Sequence, residues 1–171
     1  YYVSGSQEMI NNPSYGYMAK INSASRWVLW MTPEKPGKGV VLDENFLFEF
    51  DFMQKVKSPI KDLATPTSKA WNDDTRSLRL YSDGTDLKIM CASGTYTVIE
   101  NYEANKVYNI KLAFNFESKT IRVWVNNTAL LTEVNLGFLN DISDISRFDF
   151  NNSSGEGDLC LGRVKISLWS D

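Results

Sequence analysis

The sequence predicts an all-β fold, a two-sheet antiparallel β-sandwich of the jelly-roll kind, and three observations carry that prediction. Apolar and polar residues alternate with period two through most of the chain, turn residues punctuate the alternating runs, and no segment carries a convincing amphipathic-helix stripe. About ten or eleven short strands in 171 residues are enough for two packed sheets, a sandwich or a jelly roll.

The elements follow in chain order. Tyr15 to Ile21 and Arg26 to Met31 are the weaker strand candidates. Phe46-Leu47-Phe48-Glu49-Phe50-Asp51-Phe52 sets four phenylalanines on one face and Leu47, Glu49 and Asp51 on the other. Ser77 to Tyr81 turns Leu78 and Leu80 inward and Arg79 and Tyr81 outward; Asp83-Gly84 then makes a hairpin turn into Leu87 to Cys91, where Lys88 and Met90 face out. Ser93-Gly94 is a further turn, and Tyr96 and Val98 mark a short strand. Tyr108 to Phe114 alternates again. Glu117-Ser118-Lys119 turns into Ile121 to Val125, and Asn126-Asn127 turns that strand back into Ala129 to Leu131. Ile145 to Phe150 and Arg163 to Leu168 are the last strands, separated by a polar loop from Asn151 to Asp158. One helical turn is expected near Phe138 to Ile142. Met31 to Asn45 and Val56 to Thr75, rich in Pro, Gly, Lys and Asp, are expected as long loops, the usual place for function.

Composition narrows the function classes. Hydrophobic residues make up 43% and charged residues 23%, as in an ordinary globular domain, and residues 1–171 are expected to form one domain. The net charge of -3, with no Lys/Arg cluster to neutralise a run of phosphates, argues against a nucleic-acid partner. No apolar run approaches the roughly 20 residues of a membrane-spanning helix. The sequence has no histidine, which removes the commonest general base and zinc ligand. Cys91 and Cys160 fit either two buried thiols or a disulfide between distant strands, and their spacing does not decide. The chain begins Tyr1-Tyr2-Val3, which reads as a piece of a longer secreted protein.

Several of these segments together resemble the concanavalin A-like lectin/glucanase superfamily. They are the Phe46 to Phe52 strand, the Ser77 to Cys91 hairpin, Val107 to Phe114, Ile121-Arg122-Val123-Trp124-Val125-Asn126-Asn127, and Gly162 to Ile166. The resemblance covers roughly residues 45 to 169. It implies a concanavalin A-like sandwich of the kind used by accessory carbohydrate-binding modules of bacterial polysaccharide-degrading enzymes. The function it implies is non-catalytic: an extracellular module that holds a plant cell-wall or microbial polysaccharide for a covalently attached catalytic domain. Two alternatives stand beside it: a laminin-G-like interaction or adhesion domain, and a divergent lyase or hydrolase with Tyr81 or Glu49 as base.

Catalytic signatures are incomplete. Glucanases of the superfamily carry Glu-x-Asp-x-Glu on one strand; here the run is Glu49-Phe50-Asp51-Phe52-Met53, so the third carboxylate position holds a methionine. Arg76-Ser77-Leu78-Arg79 resembles the arginine strand of jelly-roll alginate lyases, without its Glu and without the histidine they use.

Sugar recognition needs planar apolar surfaces together with a few fixed polar groups. The candidate ligand-binding residues are Glu49, Asp51, Arg79, Tyr81 and Lys88, which the superfamily layout would place in one row on a concave sheet. Trp71, Asp73 and Asp74 are added as the lip of the preceding loop. The alternative reading of the row is an exposed face with ordinary cross-strand ion pairs. Arg26, Trp27 and Trp30 form a second cluster in which alternation sends one Trp to the core. Trp124 should face outward, on the convex side of the family layout, covering the sheet rather than binding. No cofactor is required on this reading. A structural calcium is allowed for, with Glu8, Asp149, Asp158 and Asp171 as candidate donors, although their spacing is not diagnostic.

Overall fold

The computed structural model describes residues 2–4, 8–12, 16–22, 26–30, 43–67, 75–152 and 157–169. Every regular element among them is a β-strand. In chain order these are β1 (Tyr2–Ser4), β2 (Glu8–Asn12), β3 (Gly16–Ile21), β4 (Arg26–Trp30), β5 (Phe46–Gln54), β6 (Pro59–Ile60), β7 (Asp62–Thr67) and β8 (Arg79–Asp83). They continue as β9 (Leu87–Cys91), β10 (Gly94–Ile99), β11 (Tyr108–Asn115), β12 (Thr120–Val125), β13 (Thr128–Leu130), β14 (Leu136–Gly137), β15 (Arg147–Asn151) and β16 (Leu159–Leu168).

The phenylalanine strand organises the molecule. With four rings on one face it must sit centrally against another layer, and β5 lies in the middle of a large sheet ordered β13-β12-β11-β5-β16-β3-β2, with β14 added on β12. The opposing layer consists of two four-stranded sheets, β1-β4-β15-β7 and β10-β9-β8-β6. They are joined where Thr67 bridges Arg76 and Ser77 N donates to Pro66 O. All strand pairings are antiparallel, so the fold is a two-layer antiparallel β-sandwich.

All nine phenylalanines of the sequence are buried in the core between the layers. Phe48 stacks on Phe148 at 3.8 Å with the rings nearly parallel, and Phe50 meets Phe150 edge-on at 5.9 Å, so β5 is clamped to β15 across the interlayer space. Such pairs add about 0.5–1.5 kcal/mol each beyond area burial. At the other end of β5, Tyr102 OH donates to Gln54 Oε1 at 2.6 Å and accepts from Ser82 Oγ at 3.1 Å, tying the small layer to the large one.

The alternation read from the sequence holds for the first half of β5 and of β11 and for β8, β9 and β12, whereas β15 is buried on both faces and the Arg163 to Leu168 run does not alternate, Val164 and Leu168 being exposed. Two expectations are corrected, and one open alternative is decided. Phe138 to Ile142 forms bends rather than a helical turn. The segment from Val56 to Thr75, expected as a loop, contains β6 and β7 among its described residues, and every residue of β7 is buried. Its alternation is hidden because Ala64 takes a φ of 54°, forming a bulge against β15, and because Pro66 interrupts the run. Cys91 and Cys160 are both free and buried in separate apolar clusters, as the buried-thiol alternative has it. Burial pushes the Cys160 thiol up to about 11.

Candidate functional site

The residues grouped by sequence as one outward row fall on two different layers. Glu49 and Asp51 lie on β5, on the outer face of the large sheet, whereas Arg79 and Tyr81 on β8 and Lys88 on β9 lie on the outer face of the small layer. The single concave row implied by the superfamily layout is therefore corrected. Trp71, Asp73 and Asp74 lie outside the described residues.

On the large sheet, register rather than sequence spacing assembles the surroundings of Glu49. Residues directly opposite each other on antiparallel strands share a face. Trp124 of β12 pairs with Lys111 of β11, Lys111 pairs with Glu49, and Glu49 pairs with Lys165 of β16. One step along, Asn109 pairs with Asp51 and Asp51 with Gly162. Trp124, expected on the opposite side from the binding face, thus stands in the same row as Glu49. It is half-buried, with its neighbours Val123 and Ile121 in the core.

The polar groups of this face are fixed. Asn109 Nδ2 donates to Glu49 Oε1 at 3.1 Å and to Asp51 Oδ1 at 2.7 Å. Arg163 donates through its terminal nitrogen to Glu49 Oε1 at 2.8 Å, and its Nε lies 3.4 Å from Asp51 Oδ2. Arg163 gets there by a bulge: between Gly162 and Lys165 the β16 register slips against β5, so Arg163 and Lys165, two residues apart, both reach the Glu49 position. Bulges re-aim side chains in this way. Lys111 Nζ donates to Asn127 Oδ1 at 3.2 Å, in the turn where Asn126 and Asn127 both have positive φ. The arrangement presents a half-buried aromatic ring, the Glu49 carboxylate with 13% of its side chain exposed, an amide and two cations on one sheet, the mixture that sugar hydroxyls and ring faces require. Met53, at the third position of the Glu-x-Asp-x run, lies instead in a buried apolar cluster with Met18 and Cys160.

The outer face of the small layer holds the second half of the expected row. Tyr81 pairs with Lys88 and Arg79 with Met90. The Arg79 guanidinium lies over the Tyr81 ring at 5.0 Å, donates twice to Lys61 O at 3.1 and 2.9 Å, and sits 3.3 Å from Asp62 Oδ1. Lys88 Nζ donates to Asp83 Oδ2 at 2.5 Å, and this ammonium, together with backbone amides of Asp86 and Thr85, holds the Asp83 carboxyl well below the usual range.

The acids named as calcium donors face cations. Lys20 bridges Glu8 and Asp158, and Asp149 lies between Arg26 at 2.7 Å and Arg147 at 3.2 Å; Asp171 is outside the described residues. Among the described residues no cluster of three or more Asp, Glu, Cys or His side chains is placed to hold a metal ion. Trp27 is the core member of its pair, while the Trp30 side chain lies outside what is described.

Asn109, Lys111 and Arg163 were missed as site residues by sequence reading. The alternation of β11 did put Asn109 and Lys111 on the polar face, but only pairing with β5 shows which carboxylates they meet.

No protein-family model matches the sequence, and no curated protein matches it. Solved structures do. Trypanosoma rangeli sialidase in complex with sialic acid superposes with a TM-score of 0.65 at 12% identity, over 96% of this chain and 27% of the sialidase. The binding domain of botulinum neurotoxin DC, in complex with rat synaptotagmin II, gives 0.63 at 10% identity, over 96% of this chain and 42% of that one. A botulinum neurotoxin type C structure, reported with cell entry dependent on two ganglioside molecules, gives 0.62 at 12% identity with the same coverage. The chain spans only 27% to 42% of the length of these proteins. At such identities the likeness shows the β-sandwich fold they share.

Proposed function

We propose that this domain binds a glycan on the outer face of its large sheet and is not itself catalytic, holding a polysaccharide for an enzyme attached in the same secreted chain. The observation that carries the reading is the Asn109–Glu49–Asp51–Arg163 network standing in register with Trp124 and Lys111. An aromatic surface takes the C–H face of a sugar ring, and preorganised charged partners make its hydroxyl hydrogen bonds stronger than neutral ones. Preorganisation also lowers the ordering cost of binding. The sialidases and neurotoxin binding domains that share the fold include proteins named for sialic acid and ganglioside, which supports a glycan ligand by analogy of fold. The apolar surroundings of Met53 and the absence of histidine support a non-catalytic role.

A second reading, a retaining glycoside hydrolase, has one observation in its favour: Glu49 and Asp51 are close enough for a single amide nitrogen to bond both. Affinity gel electrophoresis against neutral polysaccharides, with reducing-sugar release recorded on the same samples, separates the two. Retardation without sugar release, lost in both Trp124→Ala and Asn109→Ala, is the expected result. Release abolished by Glu49→Gln would replace the proposal with the hydrolase, and wild-type mobility in every gel would sink both.

A further inference from the structure

The small layer carries a charged patch that the large-sheet site does not use. The sequence is net negative, yet four arginines gather here around two carboxylates. Asp149 on β15 is buried between Arg26 and Arg147 and accepts from Thr67 Oγ1 at 3.1 Å. Asp62 on β7, equally buried, lies 3.8 Å from Arg76 and 3.3 Å from Arg79, with Thr65 Oγ1 donating to it at 3.3 Å. The bulge at Ala64 is what makes this possible: Asp62 and Thr65, three residues apart, would face opposite sides of a regular strand, but here they pair with Asn151 and Asp149 on one face of β15.

The two carboxylates are therefore fully committed inside the patch, and the arginines have donors to spare. Arg26, Arg76 and Arg79 side chains are 49%, 26% and 27% exposed, and the buried Arg76 Nε has no hydrogen-bond partner. Lys61, whose carbonyl anchors Arg79, is exposed beside them, and the Tyr81 ring lies under the Arg79 guanidinium. From Arg26 through Asn151 and Asp62 to Arg79 the row crosses three strand spacings, roughly 14 Å.

We infer that this face is a second ligand site, selective for the anionic groups of an acidic polysaccharide, carboxylate or sulfate ester, taken by Arg26, Arg76 and Arg79 with Tyr81 as the adjoining ring surface. Planar guanidinium forks recognise carboxylates and sulfates by paired hydrogen bonds, and buried aspartates that hold the forks in place preorganise them for an incoming anion. A row of this length meets more than one charged unit along a chain, so a polymer is held where a single free anion is not. The site lies on the opposite layer from the Glu49 network and does not rest on it.

The test is affinity electrophoresis in gels containing polygalacturonate, dextran sulfate or neutral dextran, at low and at raised sodium chloride. Strong retardation by at least one of the two acidic polymers, weakened by salt and absent with dextran, is expected; which polymer retards identifies the anion. The Arg26→Gln, Arg79→Gln double variant should lose at least about tenfold in affinity, while Trp124→Ala retains wild-type retardation in the same gels. Because Arg79→Gln strips a buried carboxylate, a second variant, Asp62→Asn with Arg79→Gln, keeps the interior neutral and should show a comparable loss. Retardation by dextran equal to that by both acidic polymers, or acidic binding undiminished in these variants, overturns the inference.

Discussion

Arg163 reaches Glu49 across two strands whose alternation would not by itself bring them together. Its guanidinium nitrogen is 2.8 Å from Glu49 Oε1, while 59% of the arginine side chain stays in solvent. The bulge in β16 supplies the geometry, and Asn109 holds the carboxylate from the other side. A guanidinium clamped on one side and open on the other is suited to meeting a ligand.

Arg163→Ala should cost about 1–2 kcal/mol, because it leaves Glu49 and Asp51, 13% and 3% exposed, without their cation while Asn109 still bonds both. It should weaken glycan retardation far more than it lowers the urea midpoint. A collapse of stability with binding intact would reverse the roles assigned to it.

Asp62→Asn should behave in the opposite way. It removes the counter-charge that Arg76 and Arg79 share, and breaking a buried pair costs about 3–5 kcal/mol. Here both guanidinium groups are a quarter exposed and regain water, so about 2 kcal/mol is expected, read as a lowered urea midpoint at unchanged slope.

Gly157 packs its Cα against the backbone of Val56: a Cβ added there would lie 2.4 Å from Val56 O. Neighbouring backbone is also tied, since Gly157 N donates to Ser58 Oγ at 3.3 Å and Asn152 Nδ2 donates to Gly157 O at 2.7 Å. Gly157→Ala should cost about 2 kcal/mol through overpacking, measurable by thermal melting.

Stability should fall in alkali through Cys160. Its thiol pKa is raised by burial from 9.0 to about 11, so between those values the folded chain keeps a proton that the unfolded chain releases. The contribution is therefore constant below pH 9 and is lost as pH rises toward 11. Cys160→Ala should flatten that part of the stability–pH curve relative to wild type, and in the native protein Cys160 should resist thiol reagents at neutral pH.

The layers and the core were legible because the decisive strands obey alternation. Phe46 to Phe52, Leu87 to Cys91 and Tyr108 to Phe114 each present one buried face, and the pattern places all of them correctly. The site was legible only residue by residue. Glu49, Arg79, Tyr81 and Lys88 do face outward, but assigning them to one row required knowing which strands are neighbours. The non-sequential order β11-β5-β16 is set by long-range packing that no local pattern encodes. Arg163 and Asp62 escaped because both depend on bulges, where the period of two is broken by one extra residue. The same break made β7 look like a loop.

The tight turn at Asn126-Asn127 constrains how the large sheet can evolve. Two consecutive positive-φ asparagines close the β12–β13 hairpin with no slack, and Asn126 is pinned at both ends: its amide donates to Asn109 O at 2.9 Å, and its Oδ1 accepts from Asn109 N at 3.0 Å. Strand β12 is thereby latched to β11 at one offset. Losing or gaining a single residue in this turn would break the latch and slip β13 by one place against β12, exchanging the two faces of β13 beside Trp124. Outward side chains along β12 can therefore be exchanged freely, while the length of that hairpin is frozen.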